Sequence, residues 1–388
     1  MANDKQNTNP NVPNKGNVPR LRFPEFTEDW VKYKISNICK IATGNKNTQD
    51  KEDDGLYPFY VRSQNVERIN SWTFDGEAIL TAGDGVGVGK VFHYSLGKIG
   101  VHQRVYILSD FNCNGKFLYS YFSSRFYNRV KRMSAKNSVD SVRMEMIADM
   151  PISIPKEREQ IKIGDLLSLL DQRIVTQNKI IEDLKKLKVA ISNRVFSQKP
   201  ITWHRLDTLF CKGKAGGTPT STNKDYYNGD IPFLSINDIT KQGKYISSTE
   251  NHISKLGLEN SSAWIVPPYS LILSMYASVG LVTINKVPIA TSQAMFSMQL
   301  KERESIDYLY YYLNYFRGRH INKYLETGTQ SNINADIVRG IMIPDYGTSK
   351  NSKISKSLIV IDKKIENESM VLDKYNSAKL FLLSQMFI

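Results

Sequence analysis

Polar side chains able to read or grip another molecule gather in short runs along this chain. In its first half these are Arg62-Ser63-Gln64-Asn65, Gly83 to Lys90, His102-Gln103-Arg104 and Lys136 to Arg143. In its second half they are Lys212 to Thr222, Ser235 to Asp238, Ser274 to Ser278, Ser292-Gln293 and Thr327 to Asn334. Arginine pairs in two-pronged fashion with guanine, and Asn or Gln with adenine, while Lys meets phosphate. The chemistry expected is therefore noncovalent contact with DNA. The candidates are Arg62, Ser63, Gln64, Asn65, Lys90, His102, Gln103, Arg104, Lys136 and Arg143, then Lys212, Lys214, Thr218, Ser235, Asn237, Tyr276, Ser278, Gln293, Gln330 and Asn332. Any surface loop holds such residue types, so the elements that position them must decide.

Charge points the same way. Fifty-two basic against thirty-eight acidic residues leave a net +14, and a surplus of that size suits a polyanion, because each cation set on a phosphate releases counterions. A Lys- and Asn-rich proteome would also give a basic protein. The 388 residues, 41% apolar, suffice for two buried cores. Met1 to Pro19 has no apolar pattern and is expected to be a flexible tail. No run has the length of a signal core or a membrane span, so the expected location is the cytoplasm, with no membrane partner. Cys39, Cys113 and Cys211 stand far apart, the five histidines are scattered, and no metal site is expected. The thiols are expected to be reduced and packed.

The positioning elements occur twice. Lys162 to Ser197 aligns without a gap on Lys353 to Ile388, 191 residues on. In the first copy Ile163, Leu167, Leu170, Ile174, Gln177, Ile181, Leu184, Lys188, Ile191 and Val195 step by fours and threes, the seam of a coiled coil. The second repeats it as Ile354, Leu358, Ile361, Ile365, Glu368, Leu372, Tyr375, Lys379, Leu382 and Met386. A helix of about 36 residues is roughly 54 Å long, and two copies about a pseudo-twofold axis are expected to run antiparallel. Upstream the repeat continues with insertions: Trp30 with Trp203, Cys39 to Gly44 with Cys211 to Gly217, Pro58-Phe59 with Pro232-Phe233, Val88-Gly89-Lys90-Val91 with Val279-Gly280-Leu281-Val282, Gln103 with Gln293, and Ile154-Pro155 with Ile343-Pro344. Each such stretch is β-rich, with strands expected at 57–61, 78–81, 90–94 and 105–109 and one helix near 116–133, matched by another near 305–324. Phe117, Tyr121, Phe122 and Phe126, like Leu309, Tyr312, Leu313 and Phe316, share a helical face and are expected in the core.

The fold class expected is α+β, with two pseudo-twofold-related mixed globular domains joined by two long antiparallel coiled-coil helices. Its segments are 1–19 tail, 20–155 first domain, 156–199 central helix, 200–345 second domain and 346–388 C-terminal helix.

Two motifs imitate enzymes. Val266-Pro267-Pro268-Tyr269 resembles the Asn/Asp-Pro-Pro-Tyr motif of amino-methyltransferases, but valine cannot accept a bond from a target amine, and no Gly-rich cofactor turn accompanies it. Ala82 to Lys90 resembles a phosphate loop, yet Asp84 and Val91 occupy places that demand Gly and Ser or Thr. A plain turn is expected there, and catalytic and cofactor-binding residues are expected to be none.

Ile154-Pro155, Glu159-Gln160, Leu170-Asp171-Gln172-Arg173-Ile174, Ile343-Pro344 and Ile361-Asp362-Lys363-Lys364-Ile365, with Leu21 to Phe26 and Gly216-Gly217-Thr218-Pro219, form a constellation. It resembles the specificity subunit of Type I restriction-modification enzymes from about residue 20 onward. One departure is Asn351-Ser352, where the first helix has Glu-Gln. The resemblance implies a non-catalytic chain with two target-recognition domains, each reading half of a split site in double-stranded DNA, and helices that set the spacer. It also implies partners: two methyltransferase subunits docked on the helices and a restriction and translocase subunit. S-adenosylmethionine, ATP and magnesium would belong to those partners. Because the two domains differ, the implied target is asymmetric. A coiled-coil scaffold without a DNA role is the alternative, and it predicts no salt-sensitive DNA affinity. A self-sufficient methyltransferase would instead need the missing cofactor motif.

Overall fold

Residues 17–133, 141–324 and 332–388 are described by the computed structural model. They divide into two units, one of residues up to 178 with 370–388 and the other of 179–369, so that the division falls inside the two longest helices.

The first unit runs β1 (Val31–Lys34), β2 (Lys40–Thr43), β3 (Tyr57–Tyr60), β4 (Val66–Ile69), β5 (Phe74–Ala82), β6 (Phe92–Val101), β7 (Val105–Ser109), α1 (Gly115–Met133), α2 (Met144–Ala148), β8 (Pro151–Ile154) and the start of α3 (Glu157–Phe196). Its main sheet has the order β2-β7-β5-β6-β3-β4, and β1 pairs with β8 apart from it. Alternation sorts β5 between two layers. Ile79 joins the core made with Phe117, Phe122 and Phe126 of α1, while Ala78 and Leu80 face a second cluster with Ile99, Val101 and Ile107. β5 and β6 are longer than their apolar runs implied. Lys90 and Val91 fall in the turn before β6, where both amides donate to the Gly87 carbonyl.

The second unit continues through β9 (Thr202–Arg205), β10 (Phe210–Ala215), β11 (Tyr227–Leu234), α4 (Ile236–Gln242), β12 (Tyr245–Ile246), β13 (Asn251–Ile253), α5 (Lys255–Glu259), β14 (Leu271–Ser274), β15 (Val282–Asn285), β16 (Ala290–Thr291), β17 (Met295–Leu300), α6 (Ile306–Arg319), α7 (Ala335–Arg339), β18 (Met342–Asp345) and α8 (Thr348–Gln385). Its sheets are β10-β17-β14-β15-β12, β13-β11-β16 and β18-β9. This is the first unit's order with one added strand, β12, beside β15, and one break: the single β6 corresponds to β15 and β16, separated at Lys286-Val287-Pro288, where proline removes a ladder donor. The helix expected to reach 324 stops at Arg319, and a 3-10 turn, Ile321–Lys323, follows His320.

The repeat appears bond by bond. Phe59 pairs with Gly100 in parallel, as Phe233 pairs with Ala290. The Tyr121 hydroxyl donates to the Pro151 carbonyl, and Tyr312, 191 residues on, donates to that of Met342. Gly89 and Gly280 both hold positive φ, 67° and 76°, each facing a side chain of the unit's main helix, Tyr127 or Arg317. Trp30 and Trp203 occupy corresponding places but differ in surroundings. Trp30 is 2% exposed and Trp203 47%, because Trp30 has Phe117 edge-on at 5.8 Å and its backbone amide donates to Asn17. That bond also corrects the expected tail: Asn17 to Pro19 packs on the first unit, while 1–16 lie outside the described residues.

None of the seam positions of α3 and α8 is exposed. In the first unit Ile163 and Leu167 of α3 share a core with Leu382 and Met386 of the other helix segment. In the second, Ile191 and Val195 of α3 share one with Ile354 and Leu358 of α8. Within each unit the two therefore run antiparallel, and a helix packs on more than the domain it follows. The two seam lysines are answered reciprocally. Lys379 binds Asp171 in the first unit, and Lys188 binds Asp362 in the second. Each junction takes its acid from one copy and its base from the other.

Cys39 is buried and Cys113 half-buried, and burial pushes both thiols up to about 12. Cys211 departs from the packed expectation. It is exposed on β10, with Sγ 3.3 Å from the Gln299 carbonyl.

Candidate nucleic-acid interface

Four polar runs of the first unit meet because strands deliver them to one place. β3 and β6 end in parallel register at Tyr60 and Val101, so Val61 and His102 leave the sheet side by side and Arg62 follows. The Gly83 amide donates to the Arg104 carbonyl at 2.8 Å, and the Val142 amide to the Gly83 carbonyl at 2.7 Å. Asp84 then stands between two cations, with Arg62 Nη1 at 3.0 Å and Arg104 Nε at 3.7 Å. Beside them lies a cleft of about 400 Å³ lined by Thr43, Asp84, Gln103, Arg104, Tyr106 and Arg143, among others. Gln103 donates to Asn47 at 2.7 Å. Ser63 binds the Asn65 carbonyl, Gln64 is exposed, and Lys90 rests 4.8 Å over the Tyr127 ring. Within Gly83 to Lys90, Asp84 bridges to Ser141 and Val86 to Lys90 is turn.

His102 is not offered to a ligand. It is 4% exposed, its Nδ1 accepts from the Arg104 amide at 3.0 Å, and burial, aided by Arg62, lowers its pKa. A neutral imidazole thus fixes the turn that presents Gln103 and Arg104.

The second unit ties its runs with corresponding bonds. The Met275 amide donates to the Ala294 carbonyl at 2.7 Å, and the Ile333 amide to that of Met275 at 3.1 Å. Thr218 donates to Gln293 at 2.5 Å. Tyr276 is exposed beside Ala277 and Ser278, both in the left-handed region, and the Ser274 hydroxyl holds the turn by donating to the Ser278 carbonyl. Lys212 and Lys214 lie 4.3 and 5.8 Å over the Trp264 ring. Asn237 donates to Glu250, and Asn332 is half-buried. Ser235 has a different task from the one expected. It caps α4, its hydroxyl donating to Asp238 and accepting from that residue's amide. Lys136 and Gln330 lie outside the described residues.

Asp84 was named in the sequence only as a misfit to a phosphate loop, although an acid within a glycine-rich run flanked by arginine-bearing loops was the available signal of this pairing. A second omission is Lys244. It is half-buried among Tyr245, Tyr310 and Tyr311, binds Asp307 at 2.7 Å, and has its pKa lowered by desolvation. Tyr311 in turn donates to Asp362 at 2.6 Å, so the second unit's sheet is bonded through to α8. Among the described residues no group of His, Cys, Asp and Glu is placed to hold a metal ion, and no helix is long and apolar enough to cross a membrane.

This chain is similar to the Type I restriction enzyme EcoDI specificity subunit of Escherichia coli, 26% identical over 159 residues, which are 41% of this chain and 35% of that protein. It is also similar to the MjaIX specificity subunit of Methanocaldococcus jannaschii, 28% identical over 178 residues, or 45% and 40% of the two chains. The chain thus spans well under half the length of these curated relatives. In fold it resembles the crystal structure of a Type-I restriction-modification system S subunit from M. genitalium, with a TM-score of 0.67 at 15% identity over 96% of this chain and 99% of that one. The profile of the Type I restriction modification DNA specificity domain matches twice, at 27–186 and 200–374. Since those two stretches make up most of the sequence, the chain belongs to the Type I restriction modification DNA specificity family.

Proposed function

We propose that this chain is the DNA-recognition subunit of a Type I restriction-modification assembly, reading one half of an asymmetric, bipartite duplex target with each unit. The observation that carries this reading is the double convergence of polar runs. Corresponding backbone bonds gather Arg62, Asp84, Gln103 and Arg104 in one unit and Thr218, Tyr276 and Gln293 in the other. Equal scaffolding with different side chains suits two different half-sites. Readers of one face of B-DNA must be spaced by about 34 Å or a multiple, and the paired helices serve as the ruler.

The chain carries no catalytic group of its own. Two methyltransferase subunits dock on α3 and α8, a restriction and translocase subunit completes the restricting form, and S-adenosylmethionine, ATP and magnesium belong to those partners. The assembly works in the cytoplasm.

Exchanging residues 20–155 for those of a relative is expected to change one half of the methylated sequence and leave the other intact, as mapped by methylome sequencing. A change in both halves, or in neither, contradicts modular reading. A mere coiled-coil scaffold would show no salt-dependent duplex affinity at all. Asp84→Asn is expected to release Arg62 and Arg104 from their shared carboxylate, raising affinity for a scrambled duplex severalfold while lowering preference for the target. Competition titrations with the two duplexes check this, and an unchanged preference contradicts it.

A further inference from the structure

A second basic surface of the first unit lies outside the reading cleft, and we propose that it grips the phosphate backbone of the same duplex without reading sequence. This rests on the recognition function inferred above. Arg125, Arg129 and Arg132 follow at steps of four and three along α1, so they share a face. With Tyr121, Asn128, Pro151 and Ile388 they line a cleft of about 320 Å³; no Asp or Glu side chain lines it, and the one carboxylate a wall residue can bring is the backbone carboxylate of Ile388. All three have a partner within the unit, Arg132 Nε donating to the Asn128 carbonyl at 3.3 Å. Arg125 stacks 5.3 Å over the Tyr121 ring, and Arg129 Nε donates to the Met146 carbonyl at 2.9 Å. A nearby acid, Asp149, is already taken by Lys34 at 2.8 Å.

Charge and continuity identify the occupant. Arg143 lines the reading cleft and stands immediately before α2, and the carbonyl that fixes Arg129 belongs to Met146 of that same short helix. The basic face of α1 therefore adjoins, through Met146, the short helix that Arg143 precedes at the reading cleft, where Arg143 has Glu145 at 4.0 Å. A planar guanidinium matches phosphate with two parallel bonds, and successive phosphates present such acceptors along a strand. The negative end of a helix also favours cations. That accounts for Lys131 and Arg132 in the last turn of α1, but not for Arg125 about two turns earlier.

The test uses the chain assembled with its methyltransferase subunits. Binding to a duplex with the mapped target and to a scrambled duplex is measured from about 50 to 200 mM salt, for the unaltered chain and for Arg125→Gln with Arg132→Gln. The double variant is expected to lose affinity for both duplexes alike, with a log–log salt slope shallower by about 2, at roughly 0.9 per phosphate released. Its preference for the target should not change. Arg125→Lys with Arg132→Lys, which keeps the charge, should restore most of the slope, and this separates lost contacts from lost folding. An unchanged slope overturns the proposal, as does a change in target preference. So does impaired assembly at an unchanged slope, which would assign this face to an acidic protein partner. If the unaltered assembly prefers neither duplex, the recognition function itself fails and the proposal falls with it.

Discussion

Phe196→Ala is expected to destabilise the second unit by about 3–5 kcal/mol, the range for deleting a buried aromatic side chain. Phe196 is the last residue of α3 and 4% exposed, with Tyr315 at 5.3 Å, Tyr312 at 5.4 Å and Tyr308 at 6.0 Å. Chain continues on both sides of it, so the surroundings cannot easily collapse into the space left. Phe387, its counterpart, is equally buried and meets Phe117 at 5.3 Å and Tyr121 at 5.5 Å. Phe387→Ala should therefore destabilise the first unit within the same range of about 3–5 kcal/mol. Urea unfolding of the full chain followed by aromatic circular dichroism measures both. A loss under about 1 kcal/mol in either case would mean that the helix end does not plug its unit's core.

Gly216→Ala is the second large effect expected. A Cβ there would lie 1.9 Å from the Thr291 carbonyl oxygen and 2.4 Å from its hydroxyl, and backbone cannot swing aside as a side-chain tip can. Overpacking costs about 1–3 kcal/mol where neighbours yield, and the upper end or beyond is expected here. The strand end that would move leads into Thr218 and faces Gln293, so recognition of the second half-site should weaken while the first stays intact. Gly318→Ala is the control. It lies in α6 with nothing within 4 Å of the added atom, and it should stabilise by up to about 1 kcal/mol through helix propensity. Thermal melts and methylation of the two half-sites by the assembled variants check these outcomes together.

The helices were legible because their signal is local and periodic. Steps of three and four from Ile163 to Val195 placed each seam residue on the side that the structure buries. The coincidence of Lys188 with Lys379 and of Asp171 with Asp362 held the ion pairs in plain sight, yet which lysine meets which aspartate depends on chain direction. Periodicity also found the α1 and α6 faces, since a helix buries one stripe whatever sheet it covers. The polar loops were found as runs, but not residue by residue. His102 looked like a surface base, and only the parallel pairing of β3 with β6 buries it. Ser235 looked like a reader, and only the helix that follows turns its hydroxyl into a cap. Trp203 resembles Trp30 in sequence, but its exposure is decided by what packs beside it. Type and spacing therefore located the loops, while burial, which is nonlocal, sorted the side chains within them.

The reciprocal ion pairs bear on how such a chain can diversify. Each acid and each base sits at the same place in its own copy, and each is met by the opposite copy's partner. A genetic crossover within the helix-coding stretches, between the copies or with a related allele, would hand on a segment that still finds a carboxylate opposite an ammonium. New readers can thus be shuffled onto an old clasp without any compensating change, and inheritance of specificity becomes separable from inheritance of the scaffold.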